Sequence, residues 1–187
     1  MKTHPVSCII LAGGEGKRVG HADKGLIQFN GQSLIAHVIT ALQNQVDDIV
    51  ISANRNLEQY KQFSPIVIPD VSGNHGPLSG IAAALPACIH ELVLVVPCDM
   101  PYLPDNLLTR LLANVEQHDI AIVEIKDRLQ LVFLMRKSLL NSAQNHVSSK
   151  KYKLMQWVLS CSHTIVNFNE TADSFKNMNS IDQLNQS

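Results

Sequence analysis

The sequence carries almost no net charge and no cysteine pattern typical of a cross-linked or zinc-bound fold. Fifteen Lys and Arg residues nearly balance sixteen Asp and Glu residues, which leaves a formal net charge of −1. Because nucleic-acid binding depends on a positive field, this balance argues against a nucleic-acid partner. The four cysteines form no Cys-x-x-Cys pair and no His/Cys cluster at zinc spacing. We therefore expect them to be small core residues in a reducing cytoplasm.

Long apolar runs are also missing. No stretch approaches the roughly 18 residues that span a bilayer. The apolar run over residues 6–12 leads into Gly-Gly-Glu-Gly-Lys-Arg rather than into a signal-peptide cleavage site. We expect a cytoplasmic protein with no membrane contact. Hydrophobic residues make up 45% of the 187 residues and charged residues 17%, which predicts one globular domain over residues 1–187.

Short apolar runs alternate with helical periodicity along the chain. The predicted strands cover residues 6–12, 48–53, 64–69, 91–97, 119–125, 129–135 and 163–168. The predicted helices cover residues 34–42, 78–85, 104–115, 138–145 and 150–159, and a last one begins at Ser180. Ser33 is the predicted cap of the first helix and Asp105 that of the third. This order predicts an α/β fold, a three-layer, doubly wound, mostly parallel sheet of Rossmann-like type. The short link at 126–128 predicts one antiparallel hairpin.

The loop after the first predicted strand is rich in glycine and basic residues. Five glycines and three basic residues lie in residues 11–25, so backbone N–H groups can approach an anion closely. The dinucleotide-binding motif is broken at Val19, and no Gly-Lys-Ser/Thr follows at P-loop spacing. The loop therefore predicts a phosphate site of another type. A merely flexible loop with solvated charges is the alternative.

Two acidic residues follow predicted strands directly. Asp99 follows the most apolar predicted strand, at 91–97. A carboxylate at this strand end is placed to hold Mg²⁺ against triphosphate oxygens. The alternative is that Asp99 caps the next helix. Asp70 precedes a second glycine-rich loop that opens a helix. Because a helix N-terminus favours negative charge, this loop is a candidate site for a second phosphate-bearing ligand, and a plain turn is the competing interpretation.

Taken together, these motifs resemble those of the molybdenum cofactor guanylyltransferases. The similarity runs from the signature at 11–24 through Gly76-Pro-Leu-Ser-Gly80 and Pro97-Cys-Asp-Met-Pro to the segment 175–180. The first loop alone marks the wider nucleotidyltransferase superfamily. Three features favour the guanylyl branch: Gly13-Gly14, Asp23 before Lys24, and the Gly-Pro-Leu-x-Gly motif at 76–80. The resemblance implies transfer of GMP from GTP to the terminal phosphate of molybdenum-bearing molybdopterin, with Mg²⁺ as cofactor and pyrophosphate as product. It also implies proteins that deliver molybdopterin and a molybdoenzyme that receives the finished cofactor.

The resemblance further implies roles for individual residues. GTP would be bound by Leu11, Ala12, Gly13, Gly14, Lys24, Ser52, Asp70 and Asp99. Arg18, Lys24 and Asp99 would act in catalysis, with Asp99 as the metal ligand. Molybdopterin would be bound by Gly76, Gly80, Asn177 and Asn179.

Three positions depart from the family pattern. Val19 stands in place of methionine, Ser52 in place of asparagine, and the proline common near Gln130 is absent. Two other functions stay open at this point. One is a cytidylyl or sugar-phosphate nucleotidyltransferase, and the other is a non-catalytic nucleotide-binding protein that delivers the cofactor without needing Asp99.

Overall fold

The computed structural model describes residues 4–14, 23–70 and 75–178, and within them strands and helices alternate. The strands are β1 Val6–Leu11, β2 Gln28–Phe29, β3 Gln32–Ser33, β4 Asp48–Ser52, β5 Val67–Ile68, β6 Leu92–Pro97, β7 Ile120–Ile125, β8 Arg128–Arg136 and β9 His163–Asn167. The helices are α1 Leu34–Leu42, α2 Leu57–Tyr60, α3 Pro77–Ala84, α4 Leu107–Val115, α5 Leu140–Ser148 and α6 Leu154–Ser160. The last predicted helix, from Ser180, lies outside the described residues.

The main sheet has the strand order β5-β4-β1-β6-β8-β7-β9. The strands β5, β4, β1 and β6 are parallel neighbours, β8 is antiparallel to β6 and β7, and β9 is parallel to β7. The prediction of a mostly parallel sheet with one antiparallel hairpin is confirmed. Lys126 and Asp127, at the hairpin turn, both have positive φ (48° and 59°), as a two-residue turn between twisted strands requires.

Helices cover both faces of the sheet, which gives three layers. Within β1, Cys8 and Ile10 point into a core formed with α1 and α4. Ile9 points into a second core formed with α3, α5 and α6. Because successive side chains of a strand point to opposite faces, a strand buried on both faces is apolar at nearly every position. This is the physical reason for the apolar run in β1, which only Ser7 interrupts.

Several predicted element boundaries are wrong. The helix predicted from Pro104 begins at Leu107, and Asp105 does not cap it: the Leu108 N–H in its first turn donates to Gln45 Oε1 at 3.0 Å. Ser33 precedes α1, but its hydroxyl makes no capping bond and has no partner among the described residues. The helix predicted over 150–159 begins only at Leu154: Lys150 has a positive φ of 58°, and Lys153 is extended, with φ −75° and ψ 102°, so neither residue is helical. The strand predicted over 64–69 is reduced to the short edge strand β5.

A small antiparallel hairpin, β2–β3, was not predicted. Its turn is Asn30-Gly31, with φ values of 47° and 80°. Asn-Gly is the strongest short hairpin signal a sequence can carry, because both residues tolerate positive φ. The turn signal was therefore present in the sequence, but the flanking strands, of two residues each, are too short to show a strand pattern.

Two absences in the sequence have counterparts in the structure. All four cysteines are free, and Cys8, Cys88 and Cys98 are buried, as expected of small core residues. Across the ranges described above, no helix combines the length and the apolar character needed to cross a bilayer.

Candidate active site

The candidate site lies where the direction of the crossovers reverses, between β1 and β6. The chain passes from β1 to β4 on one side, while β6 lies on the other side of β1. Open α/β sheets bind ligands at the carboxyl ends of the strands at such a switch point. Leu11 is level with Ser52 on β4 and with Pro97 on β6. The residues that follow these three strands, Gly13 and Asp99 among them, therefore meet at one edge of the sheet.

Lys24 and Asp99 form an ion pair at this edge. The Lys24 ammonium donates a hydrogen bond to Asp99 Oδ2 at 3.2 Å. The Asp99 side chain is only 9% exposed and that of Lys24 is 24% exposed. The backbone oxygen of Asp99 also accepts a hydrogen bond from the Met178 N–H at 2.9 Å. Since a buried carboxylate is costly unless it is paired, Lys24 compensates a charge that the fold has withdrawn from water.

Cys98, beside this ion pair, is not a nucleophile. Burial raises the pKa of its thiol, and the negative charges of Asp99 and Asp23 raise it further, although Lys24 acts in the opposite direction. The thiol therefore stays protonated at neutral pH, whereas nucleophilic attack requires a thiolate. Cys98 therefore offers no thiolate for covalent catalysis at neutral pH.

Asn54 and Arg55, directly after β4, contact the first glycine loop. Asn54 Oδ1 accepts the Asp70 N–H at 2.7 Å. A Cβ on Gly13 would lie 3.3 Å from Asn54 Nδ2, so the glycine permits a close approach. The Arg55 guanidinium donates to the Gly14 carbonyl at 3.2 Å. Sequence motifs alone indicated no role for Asn54 or Arg55.

Asp23, which directly precedes Lys24, is held by two residues of a later segment. The Tyr60 hydroxyl donates a hydrogen bond to Asp23 Oδ1. The Asn56 side-chain amide donates to Asp23 Oδ2 at 3.1 Å. Tyr60 is fully buried. No motif in the sequence pointed to Tyr60 or Asn56, because their partner lies more than thirty residues earlier in the chain.

Gly80 and Ser52 lie in the contact between α3 and the sheet. A Cβ on Gly80 would lie 2.6 Å from Ser52 Oγ and 3.4 Å from Leu11 Cδ2. Both residues are buried, Ser52 with 3% of its surface exposed. Packing therefore accounts for the glycine at position 80, and the ligand contacts expected of Gly80 and Ser52 stay predictions.

The structure brings most of the sequence-predicted residues to one end of the sheet. Gly76 is exposed, has a φ of 98° and precedes α3. Asn177 is exposed beside Met178, whose N–H binds Asp99. The other predicted residues at this end are Leu11, Ala12, Gly13, Gly14, Lys24, Asp70 and Asp99. Arg18 and Asn179 lie outside the described residues.

A cavity of about 820 Å³ opens at the opposite end of the sheet. Its lining includes His4, Glu91 and Leu92, at the starts of β1 and β6, and Arg136 at the end of the reversed strand β8. Neither Lys24 nor Asp99 takes part in it. This cavity is therefore separate from the candidate site.

Comparison with known proteins agrees with this geometry. A family model described as the MobA-like NTP transferase domain matches residues 8–164. The molybdenum cofactor guanylyltransferase of Shewanella frigidimarina is 39% identical over 185 residues, which cover 97% of this chain and 94% of the relative. The enzyme of the same name from Shewanella putrefaciens is 36% identical, with coverages of 97% and 95%.

A solved structure shares the fold. The molybdopterin-guanine dinucleotide biosynthesis protein A of Archaeoglobus fulgidus superimposes with a TM-score of 0.78 at 21% identity and covers 96% of this chain and 95% of its own. Fold similarity at that identity leaves function open. The family match and the sequence relatives, at higher identity and nearly full length, decide the assignment. This chain belongs to the MobA-like NTP transferases and, within them, to the molybdenum cofactor guanylyltransferases, a family of nucleotidyltransferases.

Proposed function

We propose that this protein transfers GMP from GTP to the terminal phosphate of molybdopterin that carries molybdenum. An oxygen of that phosphate attacks the α-phosphorus of GTP, the bond from the α-phosphorus to the bridging oxygen breaks, and pyrophosphate leaves. The observation that carries the proposal is the Lys24–Asp99 pair at the switch point of a chain of this family. The pair offers one cationic and one anionic group, side by side, at the strand ends.

Lys24 and the backbone of the first glycine loop have separate tasks in this reaction. The Lys24 ammonium neutralises the charge that develops on the leaving pyrophosphate. The Ala12 N–H donates to the Ser52 carbonyl, so the backbone N–H groups that approach the nucleotide are those of Gly13 and Gly14. Phosphoryl-type transfer needs little covalent assistance, so positioning and charge compensation supply most of the catalysis. The protonated Cys98 thiol is consistent with such a mechanism.

Asp99 is the residue we assign to the metal ion. Mg²⁺ prefers oxygen ligands and usually binds through one or two carboxylates, together with water and substrate phosphates. The described residues contain no group of three His, Cys, Asp or Glu side chains that could hold a metal. A single carboxylate fits Mg²⁺ that completes its shell with triphosphate oxygens. When bound, the ion supplies positive charge that stabilises the transferring phosphoryl group.

The remaining predicted contacts belong to the same proposal. Ser52 and Asp70 contact GTP, and Arg18 helps to neutralise its triphosphate. Gly76, Gly80, Asn177 and Asn179 bind molybdopterin. We further propose that the whole chain forms one domain and acts in the cytoplasm. There it receives molybdopterin from a delivering protein and passes the dinucleotide cofactor to a molybdoenzyme.

The direct test is incubation of the purified protein with GTP, Mg²⁺ and molybdenum-bearing molybdopterin. We expect the guanine dinucleotide and an equal amount of pyrophosphate, resolved by chromatography. Asp99→Asn should abolish most of this turnover, whereas Asp173→Asn, which alters an exposed carboxylate paired with Lys176, should not. Equal rates for wild type and Asp99→Asn would exclude the proposed mechanism.

The two competing functions give different results in the same assay. A cytidylyl enzyme would prefer CTP when both nucleotides compete. A delivery protein would bind GTP without releasing pyrophosphate. Either result would overturn the guanylyl assignment.

A further inference from the structure

Tyr60 lies against the backbone on both sides of Lys24. Its hydroxyl donates to the carboxylate of Asp23, the residue before Lys24. On the other side, a Cβ on Gly25 would lie 2.6 Å from the Tyr60 hydroxyl oxygen and 3.2 Å from its Cε1. A side chain at position 25 is therefore excluded, and the glycine allows the tyrosine to reach Asp23.

The short turn that carries Lys24 depends on these neighbours. Its backbone is closed by hydrogen bonds from the Leu26 N–H to the Asp23 carbonyl at 3.0 Å and from the Ile27 N–H to the Lys24 carbonyl at 3.2 Å. Such a single 3₁₀ turn has little stability of its own. Both carboxylate oxygens of Asp23 are bound from the segment 56–60, Oδ1 by Tyr60 and Oδ2 by Asn56. The turn is thus attached to the core through Asp23.

Tyr60 is itself immobilised. It is fully buried and packs in the core that contains α1 and α4. Burial raises the pKa of its hydroxyl, and the bond to Asp23 raises it further, so the hydroxyl remains a donor throughout the physiological range. A hydroxyl on a buried ring fixes the position of its acceptor more closely than a donor on a mobile surface side chain does. The buried tyrosine has little rotamer freedom left to lose when the hydrogen bond forms.

We propose that Tyr60 is a positioning residue for Lys24, holding the turn so that the lysine ammonium stays opposite Asp99. Lysine carries a long flexible side chain, and its affinity for an anion rises when less freedom is lost on binding. Anchoring the backbone on both sides of Lys24 lowers that loss before GTP arrives. The contribution to catalysis rests on the proposed function, whereas the anchoring itself does not.

The test uses Tyr60→Phe, which keeps the buried ring and removes only the donor. Hydrogen–deuterium exchange of the peptide that contains the Leu26 and Ile27 amides should become faster in the variant. In calorimetry, affinity for GTP should fall by roughly 3- to 10-fold, the effect of one lost buried hydrogen bond. Affinity for GMP should not change. Tyr102→Phe, which removes a hydroxyl from a half-exposed ring, is the matched control and should alter none of these.

A double-mutant cycle separates positioning from general destabilisation. In a Lys24→Ala background, Tyr60→Phe should cause no further loss of GTP affinity, because the residue it positions is gone. Asp23→Ala, which leaves the Tyr60 ring untouched, should reproduce the faster exchange and the lower GTP affinity.

Three outcomes overturn the inference: unchanged exchange in Tyr60→Phe, unchanged GTP affinity, or equal losses with and without Lys24. If the wild type makes no dinucleotide, the proposed function fails. The exchange measurement on Tyr60→Phe and Asp23→Ala then still decides whether Tyr60 anchors the turn.

Discussion

The Lys24 ammonium lies 3.2 Å from the Asp99 carboxylate, although 75 positions separate the two residues in the chain. Each follows one of two neighbouring parallel strands, β1 and β6, whose carboxyl ends are level. A triphosphate site with a lysine on one side and a metal-binding acid on the other requires this proximity. The fold therefore meets the geometric condition on which the proposed function depends.

Lys24→Ala should weaken GTP binding by about 10- to 100-fold, the range for losing a hydrogen bond from a charged donor. GMP binding should change little, because GMP lacks the two phosphates that the ammonium would face. Isothermal titration calorimetry with both nucleotides measures the difference. Lys61→Ala, which removes a surface ammonium paired with Glu58, is the control. Wild-type GTP affinity in Lys24→Ala would contradict the assignment.

Gly80→Ala should destabilise the fold by about 1–3 kcal/mol through overpacking. The new Cβ would meet Ser52 Oγ at 2.6 Å, and this clash outweighs the gain of about 1 kcal/mol in helix propensity. Urea denaturation measures the free energy of unfolding. Adding Ser52→Ala should restore part of the loss, because it removes the nearest atom. A Gly80→Ala protein as stable as the wild type would show that α3 can move away from the sheet.

The alkaline stability of the protein should depend on Tyr60. Its pKa lies above the ordinary value of about 10, chiefly through burial. The folded state therefore holds the hydroxyl proton of Tyr60 more tightly than the unfolded chain does. The resulting contribution to the free energy of unfolding is complete below pH 10 and is lost as the pH rises beyond it. Unfolding curves measured below and above about pH 10 should show a shallower alkaline decline in Tyr60→Phe than in wild type. Parallel declines would contradict the burial of an unionised hydroxyl.

The buried thiols should resist labelling in the native protein. Burial raises the pKa of Cys88 to about 12 and raises those of Cys8 and Cys98 as well. Since thiolates are the reactive form, alkylation at neutral pH should reach only the half-buried Cys161, and slowly, because its pKa is also raised. Mass spectrometry of native and unfolded samples measures this, and Cys161→Ser should abolish native labelling. Rapid native modification of Cys98 would contradict the structure.

Much of the fold could be predicted because its signals are local. The apolar run in β1 indicated burial on both faces, and the structure places Ile9 and Ile10 in two different cores. The brevity of the 126–128 link predicted the β7–β8 hairpin, which the structure contains. Helix starts were less predictable. Pro104 is well suited to a first helical position, yet the helix begins at Leu107. Leu107 and Leu108 are buried, and the Leu108 N–H donates to Gln45, a residue 63 positions earlier that no local signal connects to this helix.

The candidate site was predictable only in part. Lys24, Asp70 and Asp99 were predicted because they follow strands or belong to a glycine-rich loop with a family signature, and the structure places all three at one end of the sheet. Tyr60 and Asn56 were missed, since a buried tyrosine and a turn asparagine have no distinctive pattern until their partner is known. Asp23 lies 37 positions before Tyr60. No local rule connects such residues.

By itself, the sequence determined the α/β class, the alternation of strands and helices, and membership of the guanylyltransferase family. These depend on the periodicity of apolar residues and on contiguous motifs, both of which act over short stretches of chain. Only the tertiary structure decided the strand order, the reversal between β1 and β6, and the meeting of Lys24 with Asp99 and of Asp23 with Tyr60. These contacts arise when packing of both sheet faces brings distant segments together, and their geometry follows from strand register rather than from neighbours in the chain.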